Sequence, residues 1–504
     1  MVAAAPTPAT GLLAAVDIGS NSFRLEIGQL AHGRYRRIDY LKETVRLGGG
    51  LDANGLLTEA AAQRGLDCLA RFASRLAGFK PSQVRAVATQ TLREARNRDA
   101  FLLRAQSVLG YPIEVISGRE EARLIYHGVA HLQPSDARRL VVDIGGRSTE
   151  MIIGHGRVPL AAESFQVGSV SLSQRFFGDG RLTEAAFRAA QVAAGAELEE
   201  ALGTFGRVRW REALGSSGTV SAVSQLLVAS GVTDGRITPA GLRWCIARCI
   251  DAGHVDRLKL PALRDDRRAV LAGGVSILYT LAAHFGIDAL QPAKGALRQG
   301  VIVDLHERML ARRRARGGDM RDSSVVELQR RFRVDTAQAR RVRSVALALY
   351  GGVGAGDDAE HRLELGWACD LHEIGMMVSH HDHHRHSAYL LAHVDAPGFS
   401  QSQQRRIGEL VLGQRGGLRK IEASFVNETF SWQVLCLRLA VIKCHARGEV
   451  DAGALRLRRD GSRATLVFTR EWADSHPRTL FLLEEEAAAW NRGGPLQLVL
   501  VSGG

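Results

Sequence analysis

At 504 residues the chain is too long for one hydrophobic core and calls for several domains. Apolar residues make up 45%, normal for globular cores, and the formal net charge of +13 favours a polyanionic partner. An aromatic share of only 6%, with no zinc-finger spacing, makes nucleic acid the weaker choice, so none is expected as a partner.

The six cysteines are scattered and form no CxxC, which fits free thiols in a reducing cytoplasm. The N-terminus lacks a basic leader, and no apolar run reaches roughly eighteen residues, so neither a signal peptide nor a transmembrane segment is expected. The expected location is the cytoplasm, with peripheral contact at a membrane left open.

In chain order, residues 1–10 read as a loose Ala/Pro tail. Strand patterns follow at LLAAVDIG, FRLEIGQL and YRRIDYLKETVRL, then helical spacing from Thr58 to Phe79. Strands VRAVAT (84–89) and PIEVIS (112–117) each lead into a helix. A second round opens at 140, with helices near 184–203, a strand at 208–214 and a Gly-rich turn at 215–219. Alternating strands and helices predict α/β architecture in two similar lobes, 11–135 and 136–308. Residues 306–322 end in a basic helix and a Gly-Gly linker. Beyond it, 320–445 reads as all-α and 446–504 as a small α+β domain with a hairpin turn at Asp460-Gly461.

One string occurs twice. AAVDIGSNSFRLEIG (14–28) returns as LVVDIGGRSTEMIIG (140–154), sharing D-I-G-x-x-S-x-x-x-x-I-G. A buried strand delivers Asp to a sheet rim, and glycines let the turn approach a ligand closely. Successive N–H groups make an anion nest, with Ser20, Ser22, Ser148 and Thr149 adding hydroxyls. Asp17, Asp143 and Glu150 are able to hold a hard cation such as Mg²⁺. A strand follows the turn and no G-K-[ST] ending is present, so this is not a Walker A loop. Two copies and the third Gly/Ser/Thr turn predict a phosphate site between two lobes.

AAVDIGSNSFRL, ISGREEARLIYHGV, VVDIGGRSTEMIIG and LGSSGTV follow in order, and with them the chain resembles the exopolyphosphatase and guanosine pentaphosphate phosphohydrolase family. The resemblance runs on through GGVSILYTLAAHFGI (273–287), GALRQGVIVDL (295–305) and residues 371–404. It implies two actin-like (ribonuclease H-like) lobes, then an HD-like all-α domain, a divalent cation such as Mg²⁺, and a homodimer. Ser117 and Glu120 have capping-box spacing, which gives Glu120 a structural task and leaves Glu121 as the candidate general base. The resemblance assigns Glu121 the same role. It makes Asp143 and Glu150 metal ligands, and places Gly19, Asn21 and Ser22, then Gly145, Gly146, Ser148 and Thr149, then Gly215, Ser217, Gly218 and Thr219, in three phosphate loops. Arg147 departs from the pattern, standing where the family has a third glycine; it either reaches the phosphate chain or faces solvent. Arg93, at a strand-to-helix turn, either clamps phosphate through both its nitrogens or lies exposed.

The stretch HHDHHRH (380–386) suggests metal at first sight, but His372 is followed by Glu373 where an HD pair has Asp, so a degenerate site is expected. Arg385, Arg415, Arg419 and Lys420 are candidates for a basic track along a long polyanion. The resulting expectation is an exopolyphosphatase that processively removes terminal orthophosphate from inorganic polyphosphate; the alternative is guanosine pentaphosphate hydrolysis to the tetraphosphate, or both. A kinase or chaperone-like ATPase of the same superfold is disfavoured by ISGREEAR, and a non-catalytic sensor by intact Glu121, Asp143 and Glu150.

Overall fold

The computed structural model describes residues 11–31, 33–314, 319–353 and 359–503; the Ala/Pro tail and the Gly-Gly linker lie outside them. The chain divides into two compact units, 1–316 and 317–504.

In the first unit, β1 (Leu12–Ile18) is buried along its whole length, as expected of a central strand with an unbroken apolar run. It pairs antiparallel with β2 (Ser22–Ala31), which pairs with β3 (Arg34–Thr44). On its other side, β4 (Val84–Ala88) and β5 (Ile113–Val115) run parallel to it, giving the order β3-β2-β1-β4-β5. The second half repeats this plan. β6 (Arg138–Ile144), β7 (Thr149–His155), β8 (Val158–Phe165), β9 (Glu212–Gly215) and the short β10 (Gln291–Pro292) form the order β8-β7-β6-β9-β10. The duplicated string is thus a duplicated β-hairpin. The strand expected at 208–214 starts only at Glu212: residues 207–209 form a 3₁₀ turn with Val208 exposed among arginines, where no apolar face is available to pair.

Two helices cross between the sheets. Helix Gly118–Leu132 follows β5 in the chain but packs against β7 and β8; helix Leu297–Arg314 follows β10 but packs against β1, β2 and β4. They lie against each other, and their apolar faces fill one core with residues of both sheets, such as Leu13, Val87, Val141 and Ile152. Glycines make the crossing close: a Cβ on Gly300 would sit 1.7 Å from the Leu124 carbonyl oxygen, and one on Gly128 2.4 Å from that of Ala296. The lobe boundary expected at 135/136 therefore separates the sheets but not their helices. Helix Asp265–Phe285 is long and apolar enough to cross a membrane by length and composition, and most of that stretch is buried in the core beside β6.

In the second unit, helices Met320–Arg331, Thr336–Gly352, Ala359–Leu371, His383–His393, Gln401–Gly413 and Glu428–Lys443 precede a three-stranded sheet. Its strands are β11 (Arg456–Asp460), β12 (Arg463–Thr469) and β13 (Gln497–Gly503), in that order. Asp460 pairs with Arg463 across the turn, and Gly461 takes the positive φ of 55° that the turn demands. Trp367, Trp432, Leu466 and Trp490 belong to one core, which runs unbroken across residues 445/446.

Candidate functional site

The two hairpin turns face each other. A Cβ on Gly146 would lie 3.4 Å from Ser20 Cβ and 3.8 Å from Asn21 Cβ. With the turn before helix Gly218–Ala229 they enclose a cleft of about 470 Å³. Gly19, Ser20, Asn21, Ser22, Gly145, Gly146, Ser148, Ser217, Gly218 and Thr219 line it, together with Asp17, Glu121 and Asp143. The Ser217 side chain caps the helix, accepting from Val220 N at 3.0 Å, so the helix presents its N-terminus to the cleft, where anions are favoured. Ser22 Oγ is buried there with no hydrogen-bond partner among the described residues, a donor available to a ligand.

The acids converge from two elements. Glu121 sits in the first turn of helix Gly118–Leu132, whose start is fixed by Ser117 Oγ accepting from Glu120 N at 3.2 Å. Glu120 itself turns inward, where Arg123 takes its carboxylate at 2.7 and 2.8 Å. Its task is structural as expected, but it is carried by a buried ion pair. Register places Asp143 opposite Glu150, and Asp17 opposite Arg24. Burial, opposed by Arg93 and reinforced by Asp17 and Asp143, raises the Glu121 carboxyl above its ordinary range. Burial raises Asp143 as well, while burial with the charges of Glu121 and Asp143 holds Glu150 well above the usual carboxylate range. Burial is the first cause of all three rises, so the cluster resists carrying its full negative charge.

Cations dominate the rest of the wall: Arg24, Arg37, Lys42, Arg264, Arg267, Lys294 and Arg298. Sequence reasoning missed all seven. Only Arg24 had a local signal, its position across the hairpin from Asp17, which it meets at 3.2 Å. Arg267 packs over the third turn, its Nη2 2.4 Å from where a Gly218 Cβ would be. Burial together with Arg24 depresses the pKa of Arg267, and burial together with Arg267 depresses that of Lys42. These cations crowd one another, and a polyanion would relieve them.

Five expected site residues stand outside the lining. Arg93 is not a free phosphate clamp: Nη1 binds Glu121 Oε2 at 2.8 Å and the Ile116 carbonyl at 3.0 Å, while Nε and Nη2 bind Gln90 Oε1. Arg147 does not line the cleft and is only partly exposed; its guanidinium crosses to Glu94 Oε2 at 2.8 Å. It is absent from the non-glycine residues with positive φ, so the turn accommodates a side chain without backbone strain. Thr149 is fully buried and donates to the Val167 carbonyl at 2.6 Å. Gly215 lies at the end of β9, with Val220 and Leu290 packed where its Cβ would be. Glu150 is shut behind the cleft, accepting from Ser164 Oγ at 2.8 Å.

In the second unit, His372 is buried with Nδ1 against the Cys369 carbonyl at 2.7 Å, and burial lowers its pKa to about 4. Arg447 occupies the Glu373 carboxylate. Among the described residues no three His, Cys, Asp or Glu side chains form a metal-holding group. Arg415 Nη1 lies 3.2 Å from His383 Nε2, and Lys420 is lowered to about 8, by burial first and then by neighbouring arginines.

Twin β-sheets, each presenting an Asp-Gly hairpin to one cation-lined cleft with a carboxylate at its base, define a two-lobed phosphate-handling protein of the actin-like fold. Comparison with known proteins makes this specific. Residues 27–309 match the Ppx/GppA phosphatase family, and residues 320–487 match domain III of Ppx/GppA phosphatase. Over 481 residues the chain is 37% identical to a guanosine-5'-triphosphate,3'-diphosphate pyrophosphatase of Vibrio vulnificus (strain YJ016), covering 94% of this chain and 95% of that protein. The structure of the Aquifex aeolicus PPX-GPPA enzyme is 26% identical with a TM-score of 0.50, covering 58% of this chain and 99% of that one. An exopolyphosphatase from Cytophaga hutchinsonii, 24% identical with a TM-score of 0.53 over 58% of this chain and 97% of its own, shares the fold. The chain belongs to the Ppx/GppA phosphatase family and is an enzyme that hydrolyses phosphoanhydride bonds.

Proposed function

We propose that the enzyme removes the terminal phosphate of guanosine pentaphosphate, yielding the tetraphosphate, with Glu121 as general base. The observation that carries the chemistry is the position of Glu121: a carboxylate on the cleft wall, beside Asp17 and Asp143. Its raised proton affinity suits a base acting near neutral pH, and Arg93 keeps it oriented. In this reading the N–H groups and hydroxyls of turns 19–22, 145–148 and 217–219 hold the phosphoryl group being transferred. Glu121 takes a proton from a water aligned with the terminal phosphorus; the water oxygen bonds to that phosphorus to form orthophosphate, the bridging P–O bond breaks, and its electron pair leaves with the bridging oxygen on the penultimate phosphate of the tetraphosphate. Arg24, Arg267 and Arg298 spread the charge left on it.

The cleft offers carboxylate oxygens of the kind a hard divalent cation such as Mg²⁺ takes, though no three acids there form a metal-holding group among the described residues, so substrate oxygens and water would have to complete its shell. Asp143 and Glu150 offer oxygen ligands, and burial, the first cause of their raised pKa values, makes their charged forms costly without a cation beside them. Asp143, with Glu150 behind it, would hold such an ion, which would neutralise charge on the phosphoryl oxygens.

The substrate reading rests on the likeness to the Vibrio pyrophosphatase across nearly the whole of both chains. Polyphosphate, the first expectation from the sequence, stays as the second reading because seven cations line a cleft with few apolar surfaces for a base. Orthophosphate release from both substrates in parallel, with Mg²⁺, separates them. A higher kcat/KM for guanosine pentaphosphate supports the proposal; a strong preference for polyphosphate overturns it. Glu121→Gln should abolish turnover with binding retained, and a near-normal rate would remove Glu121 from the role of base.

A further inference from the structure

We propose that Arg147 is a positioning residue: it latches the second phosphate turn onto the first lobe and, through Glu94, Gln90 and Arg93, holds Glu121 in its working place. The inference rests on the reading of Glu121 as base.

The connection from Arg147 to Glu121 is continuous. Arg147 Nε and Nη2 bind Glu94 Oε2 at 3.0 and 2.8 Å, and Nη1 binds the Gly48 carbonyl at 3.3 Å. Glu94 Oε1 accepts from Gln90 Nε2 at 2.6 Å. Gln90 Oε1 accepts from Arg93 Nε at 3.0 Å and Nη2 at 2.6 Å. Arg93 Nη1 donates to Glu121 Oε2 at 2.8 Å. Each polarity is forced by its neighbours. An amide between a carboxylate and a guanidinium has one favourable orientation, NH₂ to the acid and oxygen to the base; the reverse sets donor against donor and acceptor against acceptor. Removing Glu94 frees that amide to turn, and a turned amide no longer holds two of the Arg93 donors.

Gln90 is buried, so its polar atoms have little water to fall back on. The Arg147–Glu94 end is about a quarter exposed on both sides, where a pair has little stability to give by itself. Its value lies in geometry: it ties a turn of the second sheet to helix Gln90–Glu94 of the first, the helix whose Arg93 holds Glu121. The side chain also packs beside Gly48, whose Cβ would meet Arg147 Cδ at 2.9 Å, so the latch passes through a gap shaped for it. A glycine at 147 would leave Glu94 without this partner and the two turns without this tie.

The test uses the full-length enzyme and guanosine pentaphosphate or, where that is the better substrate, polyphosphate. Arg147→Gly and Glu94→Gln should each lower kcat roughly ten-fold with KM changed less than about three-fold, because the base is displaced while the phosphate donors remain. Arg147→Lys, which keeps the charge and the reach, should restore most of kcat. In a Gln90→Leu background, which cuts the relay in the middle, Arg147→Gly should have no further effect on kcat. Thermal melts of each variant identify any loss that comes from unfolding, and the Arg147→Lys comparison then carries the test. A raised KM with intact kcat in Arg147→Gly would overturn the relay and put Arg147 on the substrate. Full additivity with Gln90→Leu would overturn it too. Normal turnover by Glu121→Gln would strike at the base reading instead; an inactive Glu121→Gln beside a normal Arg147→Gly refutes the relay alone.

Discussion

Gly300→Ala tests whether the crossing of the two interior helices sets the position of Glu121. The added methyl carbon would lie 1.7 Å from the Leu124 carbonyl oxygen and 3.1 Å from Gly128 N, whereas real contacts of this kind stay above 3.0 Å. The helices must then part by about 1.3 Å at that point, and backbone atoms cannot swing aside as a side-chain tip does. Overpacking of this sort costs about 1–3 kcal/mol. Leu124 lies one turn from Glu121 on the same helix, so much of the displacement reaches the carboxylate. A shift of about 1 Å at a reacting group costs on the order of 10²-fold in rate. The expected result is a Tm lower by several degrees and a kcat reduced roughly 10- to 100-fold, with KM nearly unchanged. The control is Gly203→Ala, where no atom lies within 4 Å of the new methyl; it should be neutral or slightly stabilising. Calorimetry and steady-state kinetics on both variants decide the matter. A Gly300→Ala enzyme with wild-type Tm and kcat would refute the close crossing and, with it, the claim that this contact positions the base.

The charge balance of the cleft yields the other predictions. Glu150 has a raised folded-state pKa, so its contribution to stability is full at pH below the unfolded carboxylate value and is lost as pH rises through the folded value. Glu150→Gln, measured in chelator-treated protein, should therefore raise Tm at roughly pH 7–8, with the gain shrinking toward acid, while activity collapses; a Tm gain independent of pH would contradict the charge argument. Arg267→Ala should raise KM roughly 10- to 100-fold, the worth of a hydrogen bond to a charged group, and the gap from wild type should narrow in high salt; salt-insensitive binding would argue against an ionic contact. In the second unit, Arg438 and Glu486 form a buried pair, Nη2 to Oε2 at 2.7 Å, and Trp490 Nε1 donates to the same carboxylate at 2.6 Å. Arg438→Met should destabilise this unit by about 3–5 kcal/mol by stranding the acid. Denaturant titration followed by tryptophan emission should show it, and adding Glu486→Gln should recover part of the loss.

The sequence made legible what is local. Two hairpins, their turns and Glu121 stand in short strings whose residue types serve one purpose, and β-register then fixes where Asp17 and Asp143 point. The exchange of helices between sheets was hidden, because an apolar stripe on helix Gly118–Leu132 or Leu297–Arg314 says that a face is buried and not against which sheet. The cationic wall was hidden for a related reason. Arg37 and Lys42 come from β3, Arg264 and Arg267 from the start of a helix over two hundred residues later, and Arg298 from the crossing helix. In a chain with 66 Lys and Arg, none of these stands out from residues that merely face water. Arg93 and Arg147 were placed in the right neighbourhood, but a guanidinium among acids and phosphate donors has two suitable partners, and only the fold shows that the acids take it.

The two hairpins, alike in backbone, differ in charge at the position opposite the aspartate, and that difference sets what each offers the cleft. Opposite its aspartate the first carries Arg24, which neutralises Asp17 at 3.2 Å. The second carries Glu150 there, which leaves two acids facing each other with no cation between them among the described residues. A strict duplicate of either hairpin would spoil the site. Two copies of the first would supply only balanced pairs, with no acid in want of a cation; two of the second would line both walls with carboxylates and repel any phosphate. One of each sets an ion pair on one hairpin and two facing acids on the other, while cations from both halves of the chain, Arg24 and Lys42 from the first and Arg264 and Arg267 from the second, line the cleft. Glu121 is brought beside Asp17 and Asp143 by a helix that follows β5 in the chain but packs against β7 and β8. The close packing of that helix is thus as much a part of the candidate site as the turns that line it.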